Sequence, residues 1–417
     1  MKRRTVICLL GALLCMMQMS CVDDSYRGTV DVEEYSDTGM PHEVMITIGE
    51  SEDIVAPIAE ATKGTGVIGG VSGFAGKDFY VYAFNKDDET DFSIPAAQDS
   101  IRCLVDGSLD SLSSVQGRKA SYNPKTEYVE WTANDMPIYY PMGENEGHVF
   151  DFFAYYLDDM EVTNEQFHRN ESNVTIDIEI DGSQDIMSSK AALTEKQKQA
   201  ILEKADFWET QTMIACSYSY YTAARGINPN FVFKHHLVKL DFKLVPGGTP
   251  GMTKDVTVER IEVRSKYKAE FNVADKYDDG NVGLIFTDDM TRLQLKEADG
   301  SEYIPRLIST YKDGETSDGV VDDLGSLLIA PDDEYYIYVV LGETREDGIV
   351  LESKENEVHV YQGGDKTSPI PFTAGSEYLI TMTIYGQMEI KVTTEMGDWD
   401  EGGGYEYDYD DVTRPGQ

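Results

Sequence analysis

The feature that most constrains this chain is a period-two alternation of side chains, cleanest near its C-terminus. In AGSEYLITMTIYGQMEIKVTTEMGDWDEGGG, spanning Ala374–Gly404, Tyr378, Ile380, Met382 and Ile384 alternate with Leu379, Thr381, Thr383 and Tyr385. Past Gly386-Gln387, Met388, Ile390, Val392 and Thr394 alternate with Glu389, Lys391, Thr393 and Glu395. Side chains on an extended backbone point to opposite faces in turn, so both runs are expected to be strands joined by a tight hairpin. The first is apolar on both faces and belongs inside a sheet. The second has a charged face and belongs near an edge.

The same period recurs upstream. Val44, Ile46 and Ile48 alternate with Glu43, Met45 and Thr47 as a first strand. Lys77–Phe84 (KDFYVYAF) is apolar on both faces and reads as a central strand. Pro137–Asp158 reads as two aromatic strands around Gly-Glu-Asn-Glu-Gly, and Val174–Ile180 as a strand with one wet face. Thr212–Ser219 is a further candidate, and Phe231–Leu244 (FVFKHHLVKLDFKL) reads as one long strand. Beyond it, strands are expected at Val256–Val263, Ala269–Val273, Val282–Phe286, Gly325–Ile329, Glu334–Leu341 and Asn356–Tyr361. One helix is expected over Leu193–Thr210, capped by Thr194, with Ile201, Leu202, Ala205 and Trp208 at helical spacing. Short, evenly spaced strands and a single helical excursion predict a mainly β fold of sandwich type. Pro246-Gly247-Gly248-Thr249-Pro250-Gly251 is the clearest break. It divides an N-terminal β-sandwich domain, 42–246, from a C-terminal one, 247–404. Residues 405–417 form an acidic, aromatic tail.

The first residues read as a targeting segment. Lys2-Arg3-Arg4 precedes the apolar run Val6–Met17, which is too short to span a bilayer, and Ser20-Cys21 follows. A small residue before cysteine resembles a bacterial lipobox, although Gln18 stands where leucine is usual. On this reading residues 1–20 are a lipoprotein signal peptide, Cys21 is the lipidated residue, and 21–41 is an acidic linker. Export then involves a lipoprotein signal peptidase and leaves the chain tethered to outer-membrane lipid. A formal charge of −41 repels phosphate backbones and argues against nucleic-acid partners.

Candidate chemistry is sparse. Cys8 and Cys15 depart with the signal peptide and Cys21 is used by lipid, so only Cys103 and Cys216 remain. Whether they pair is open. His235 and His236 are adjacent, and neighbours on a strand point oppositely, so they are read as structural rather than as joint metal ligands. No G-x-S-x-G, H-E-x-x-H or Walker A pattern is present. The chain is expected to be non-catalytic, with no cofactor and no metal.

Several of these segments together resemble the Bacteroidales fimbrillin family, the pilin subunits derived from lipoproteins. The resemblance rests on the signal segment, Val44–Phe84 with its Val-Tyr-Ala-Phe strand, Tyr-Tyr-Pro…Phe-Asp-Phe-Phe-Ala-Tyr-Tyr within Pro137–Asp158, Phe231–Val263, and the terminal Leu-Ile-Thr-x-Thr-Ile-Tyr-Gly hairpin with Trp399. It implies two tandem transthyretin-like (Greek-key) sandwiches and a role at the cell surface, in a fimbrium serving adhesion or biofilm. It also implies that a trypsin-like maturation protease cuts a loop after the first strand. Lys63, followed by Gly64, occupies that place, where the family often has arginine; Arg27 precedes the strand. Removing the strand opens a groove, which the C-terminal strand of another pilin subunit fills by donor-strand exchange. Tyr405, Tyr407 and Tyr409, alternating with Glu406, Asp408 and Asp410, are the donor candidates; the same residues also read as a frayed acidic tail. The competing functional reading is a monomeric surface lipoprotein that binds a glycan or another ligand.

Overall fold

The computed structural model describes residues 43–49, 71–87, 89–110, 115–132, 136–142, 148–192, 228–247, 255–277, 282–297, 301–309, 324–344, 348–362, 370–387 and 389–397. The expected helix Leu193–Thr210 and strand Thr212–Ser219 lie outside the described residues, as do Cys21, Lys63, Gly64, Cys216, Tyr405, Tyr407 and Tyr409. Among the described residues the protein is mainly β, with no helix of seven residues or more.

Four sheets and a two-stranded ribbon make up the described fold. The largest sheet orders Lys234–His235, Met187–Lys190, Phe150–Tyr156, Asp78–Asn85, Arg118–Asn123 and Tyr128–Trp131, with Cys103–Val105 also paired to Asp78–Asn85. A second sheet orders Gly283–Phe286, Lys268–Asp275, Asn173–Glu179 and Phe167–Arg169. A third orders Ser326–Ile329, Val238–Pro246, Glu377–Gly386 and Glu389–Gly397. In the fourth, Asp255–Lys266 lies between Glu334–Thr344 on one side and Met290–Gln294 and Arg306–Ser309 on the other; Val350–Tyr361 completes it beyond Glu334–Thr344. The ladders are antiparallel except that Val238–Pro246 runs parallel to Glu377–Gly386 and the ribbon Thr47–Ile48 runs parallel to Asn230–Phe231.

The C-terminal hairpin is where the alternation places it. Glu377–Gly386 lies inside its sheet and Glu389–Gly397 at the edge. Tyr378, Ile380, Met382 and Ile384 are buried, whereas the alternate residues are half-buried. The strand just before the Pro-Gly break, Val238–Pro246, takes both of its partners from beyond that break. Lys268–Asp275 likewise pairs back to Asn173–Glu179.

The large sheet is buried on both faces. Val81, Ala83, Phe152 and Ala154 belong to one apolar cluster, whereas Tyr82, Phe84, Phe153 and Tyr155 belong to another. This is why Phe150–Tyr156 is apolar at nearly every position and buried throughout. Tyr155 faces the second sheet, with its ring 6.4 Å from Phe271 and 6.5 Å from Phe167.

Two sequence expectations need correction. The long strand read over Phe231–Leu244 is three pieces, Asn230–Phe231, Lys234–His235 and Val238–Pro246, each bonded to a different sheet or ribbon. Phe231 packs in one cluster and Leu237, Val238 and Leu240 in the other, so the chain crosses between cores. The first aromatic strand of Pro137–Asp158 is also absent. There, residues 136–142 make one bridge, Tyr139 to Glu43. Pro137 and Pro141 cannot donate to a ladder.

Candidate functional site

The most distinctive site is the place where the first segment of the described chain is held. Residues 43–49 are extended, and their inward side chains are nearly sealed: Val44, Ile46 and Ile48 keep 4%, 1% and 8% of their exposure. Glu43 is exposed, and Met45, Thr47 and Gly49 are half-buried. The alternation read from the sequence is therefore real, although only Thr47–Ile48 forms a formal strand, parallel to Asn230–Phe231.

Backbone bonds fix the segment to three separate stretches. Val44 N donates to Ile138 O at 2.8 Å, Thr47 N to Pro229 O at 2.9 Å, and Gly49 N to Phe231 O at 2.8 Å. In return, Val129 N donates to Ile46 O at 2.9 Å, so the segment also engages the edge strand Tyr128–Trp131. The three aliphatic side chains lie in one cluster with Phe74, Phe79, Trp131, Ile138, Tyr140 and Phe231. Full burial of each contributes roughly 1.5–3 kcal/mol. The segment is a plug that covers one face of the large sheet.

Side chains add register. Thr47 Oγ1 donates to Asn230 Oδ1 at 2.9 Å. Asn230 is itself buried. Gly49 passes so close to that amide that a Cβ would lie 2.6 Å from Asn230 Nδ2. Nearby, Phe74 and Phe233 pack with ring centroids 4.5 Å apart. The Tyr156 hydroxyl donates to Asp158 Oδ1 at 2.7 Å, and Lys77 Nζ lies 3.7 Å from the same oxygen. Burial pushes the Asp158 carboxyl above its usual range.

The histidine pair resolves into two separate contacts. His235 Nδ1 lies 2.9 Å from Asp185 Oδ1, and His236 Nε2 lies 2.6 Å from Ser188 Oγ. Asp185, fifty residues away in sequence, is the carboxylate partner that sequence spacing does not reveal. Burial holds the His236 imidazole down at about 4. Among the described residues, no group of three or more His, Cys, Asp or Glu is placed to hold a metal ion. Cys103 is a free, buried thiol, with its Sγ 3.6 Å from Asp106 Oδ2 and 3.5 Å from Arg169 Nη2. Burial raises its pKa well above the usual thiol range.

Sequence reasoning found the plug through its alternation but missed most of its frame. Arg118–Asn123 and Tyr128–Trp131 look polar as sequence. Arg118 is nonetheless buried, in a two-pronged pair with Asp110 at 2.9 Å and with its guanidinium 4.7 Å from the Trp131 ring centroid. Asn230 carried one weak signal, its place in Asn228-Pro229-Asn230 directly before an aromatic run.

This is a mainly β protein of packed, largely antiparallel sheets that carries a strand-filled groove among its described residues. The chain belongs to the fimbrillin-like family, whose sequence model matches residues 75–399. The family is one of fimbrial, cell-surface adhesion proteins. Among solved structures, similarity is found to a candidate cell adhesion protein of Bacteroides uniformis (15% identity, 87% of this chain and 100% of that one, TM-score 0.39). Another is a candidate cell adhesion protein of Parabacteroides distasonis (11% identity, 85% and 96%, TM-score 0.39). The fimbrial anchor protein Mfa2 of Porphyromonas gingivalis is also similar (8% identity, 89% and 100%, TM-score 0.31). No curated protein matches the sequence. Among the described residues, no helix is long and apolar enough to cross a membrane.

Proposed function

We propose that this chain is a non-catalytic pilus subunit, exported as a lipoprotein through Cys21 and assembled at the cell surface by strand exchange in the groove that residues 43–49 now fill. One observation carries the reading. A short segment near the N-terminus is buried in alternation, is bonded through its backbone to three distant stretches, and is followed by residues 50–70, which contain Lys63. Such a plug completes the fold while attached and leaves an apolar, hydrogen-bonding slot once it departs. An incoming strand gains affinity from the backbone bonds and specificity from the alternate pockets.

In this scheme a signal peptidase releases Cys21, lipid tethers the precursor to the outer membrane, and a trypsin-like protease cuts between Lys63 and Gly64. The N-terminal residue of the protein isolated from surface fibres tests it. Gly64 is the expected first residue. An acylated Cys21 in the polymerised protein, or polymers formed unchanged by a Lys63→Ala variant, would remove the proposed cleavage. Cys21→Ala is expected to release the precursor from the membrane fraction.

A further inference from the structure

The groove specifies its occupant more narrowly than a generic strand. Its three inward positions are filled by Val44, Ile46 and Ile48, which are β-branched aliphatics sealed against aromatic walls. Between the second and third, Thr47 supplies a hydroxyl proton to the buried Asn230 Oδ1. After the third, a Cβ at Gly49 would lie 2.6 Å from Asn230 Nδ2, so that amide would have to shift. A side chain there would make the amide swing away and give up its bond to Thr47.

The chain's own tail does not meet these terms. Laid along the groove in the direction of the resident strand, Tyr405, Tyr407 and Tyr409 replace Val44, Ile46 and Ile48. Asp408 then falls at the Thr47 position and Asp410 at the Gly49 position. Tyrosine overfills pockets shaped for valine and isoleucine, and it brings a hydroxyl into an apolar cluster. An ionised Asp408 has no proton to donate to Asn230 Oδ1, and the Asp410 Cβ meets the amide. Advancing the tail by two residues buries Asp411 at the third pocket. Retracting it by two leaves Gly403 in the first pocket and still sets Asp408 against Asn230.

We infer that this groove selects a strand of the form aliphatic-x-aliphatic-Thr/Ser-aliphatic-Gly and rejects the Tyr405–Tyr409 tail of a second copy of this chain. Its donor is therefore a strand of that form on another subunit, and a second copy of this chain does not enter the groove through its Tyr405–Tyr409 tail. The inference rests on the strand-exchange reading above. It is tested on the full chain carrying a specific protease sequence in place of residues 62–66, cut in solution and then mixed with excess labelled peptides. The peptides are residues 42–50, the same peptide with Gly49→Ala, and residues 404–412.

The parent peptide is expected to exchange in, with the other two at least about tenfold weaker, which is about 1.4 kcal/mol each. A tail peptide that binds within about threefold of the parent would overturn the selectivity and leave the groove standing as an acceptor. A Gly49→Ala peptide that matches the parent would overturn the glycine requirement. If the parent peptide never enters the cut protein, strand exchange in this groove and the inference fall together.

Discussion

Ile46 is the residue through which the plug is best weighed. It sits at the middle of the buried alternation, keeps 1% of its exposure, and lends its carbonyl to Val129 N. Ile46→Ala leaves that backbone bond intact and removes most of the side chain from a cluster walled by aromatic rings that cannot collapse freely. Such truncations cost about 2–5 kcal/mol, and a rigid aromatic wall argues for about 3. Met45, half-buried on the other side of the same strand, is the control, and Met45→Ala is expected to cost about 1 kcal/mol or less. Urea titration of the intact chain reads both, with an unchanged slope showing that the unfolding reaction is the same. In protein cut after the plug, the same substitution should shorten the bound lifetime of the severed strand by about two powers of ten, the kinetic equivalent of about 3 kcal/mol. If Ile46→Ala and Met45→Ala agree within about 0.5 kcal/mol, the strand is not seated by its alternate face and the groove argument loses its foundation.

Other expectations follow from buried charge. Burial depresses His236 from the ordinary imidazole value of 6.5 to about 4, so the fold favours the neutral ring. Its contribution is complete above about pH 6.5 and is lost as the pH falls toward 4, up to about 3 kcal/mol, and His236→Gln should flatten that part of a stability-against-pH curve. Glu377 is the opposite case. Burial, with Asp241 beside it, raises its carboxyl to about 7, so the fold favours the protonated form and loses that contribution as the pH rises through 7. Glu377→Gln should accordingly raise the denaturation midpoint more at pH 8 than at pH 5, and an equal shift at both would refute this. Arg169 Nη1 meets Asp106 Oδ2 at 2.7 Å, with both side chains nearly sealed. Asp106→Ala should therefore cost about 3–5 kcal/mol in urea, far more than an exposed pair such as Lys268 with Glu179. In a Cys216→Ser background, Cys103 should resist alkylation at pH 8 until urea unfolds the chain; rapid labelling of the native protein would contradict its burial.

What could be read from the sequence was what a single strand's own period reveals. Asp78–Asn85, Asn173–Glu179 and the C-terminal hairpin stand where their side-chain patterns put them, because each stays in one sheet along its length. Reading failed where the chain passes from one sheet to the next, as along Asn230–Pro246, since period alone cannot show a chain changing sheets. It failed again where a charge is buried with a partner, as in Arg118–Asn123, because the pairing with Asp110 is set by tertiary structure. The candidate site split along the same line. The inward faces of Val44, Ile46 and Ile48 were visible, whereas Asn230 became part of the site only when the chain returned to it.

The parallel ladder between Val238–Pro246 and Glu377–Gly386 bears on when this protein can finish folding. A strand near the middle of the sequence has its inner partner well over a hundred residues downstream. Its outer partner, Ser326–Ile329, comes late as well. A chain made from its N-terminus must therefore hold Leu240, Phe242 and Leu244 without their inner partner until Glu377–Gly386 has been made. Such non-local pairing folds slowly and exposes a sticky edge meanwhile. The plug segment, by contrast, emerges early and waits for Asn230, so the groove can close before the sheet beside it is complete.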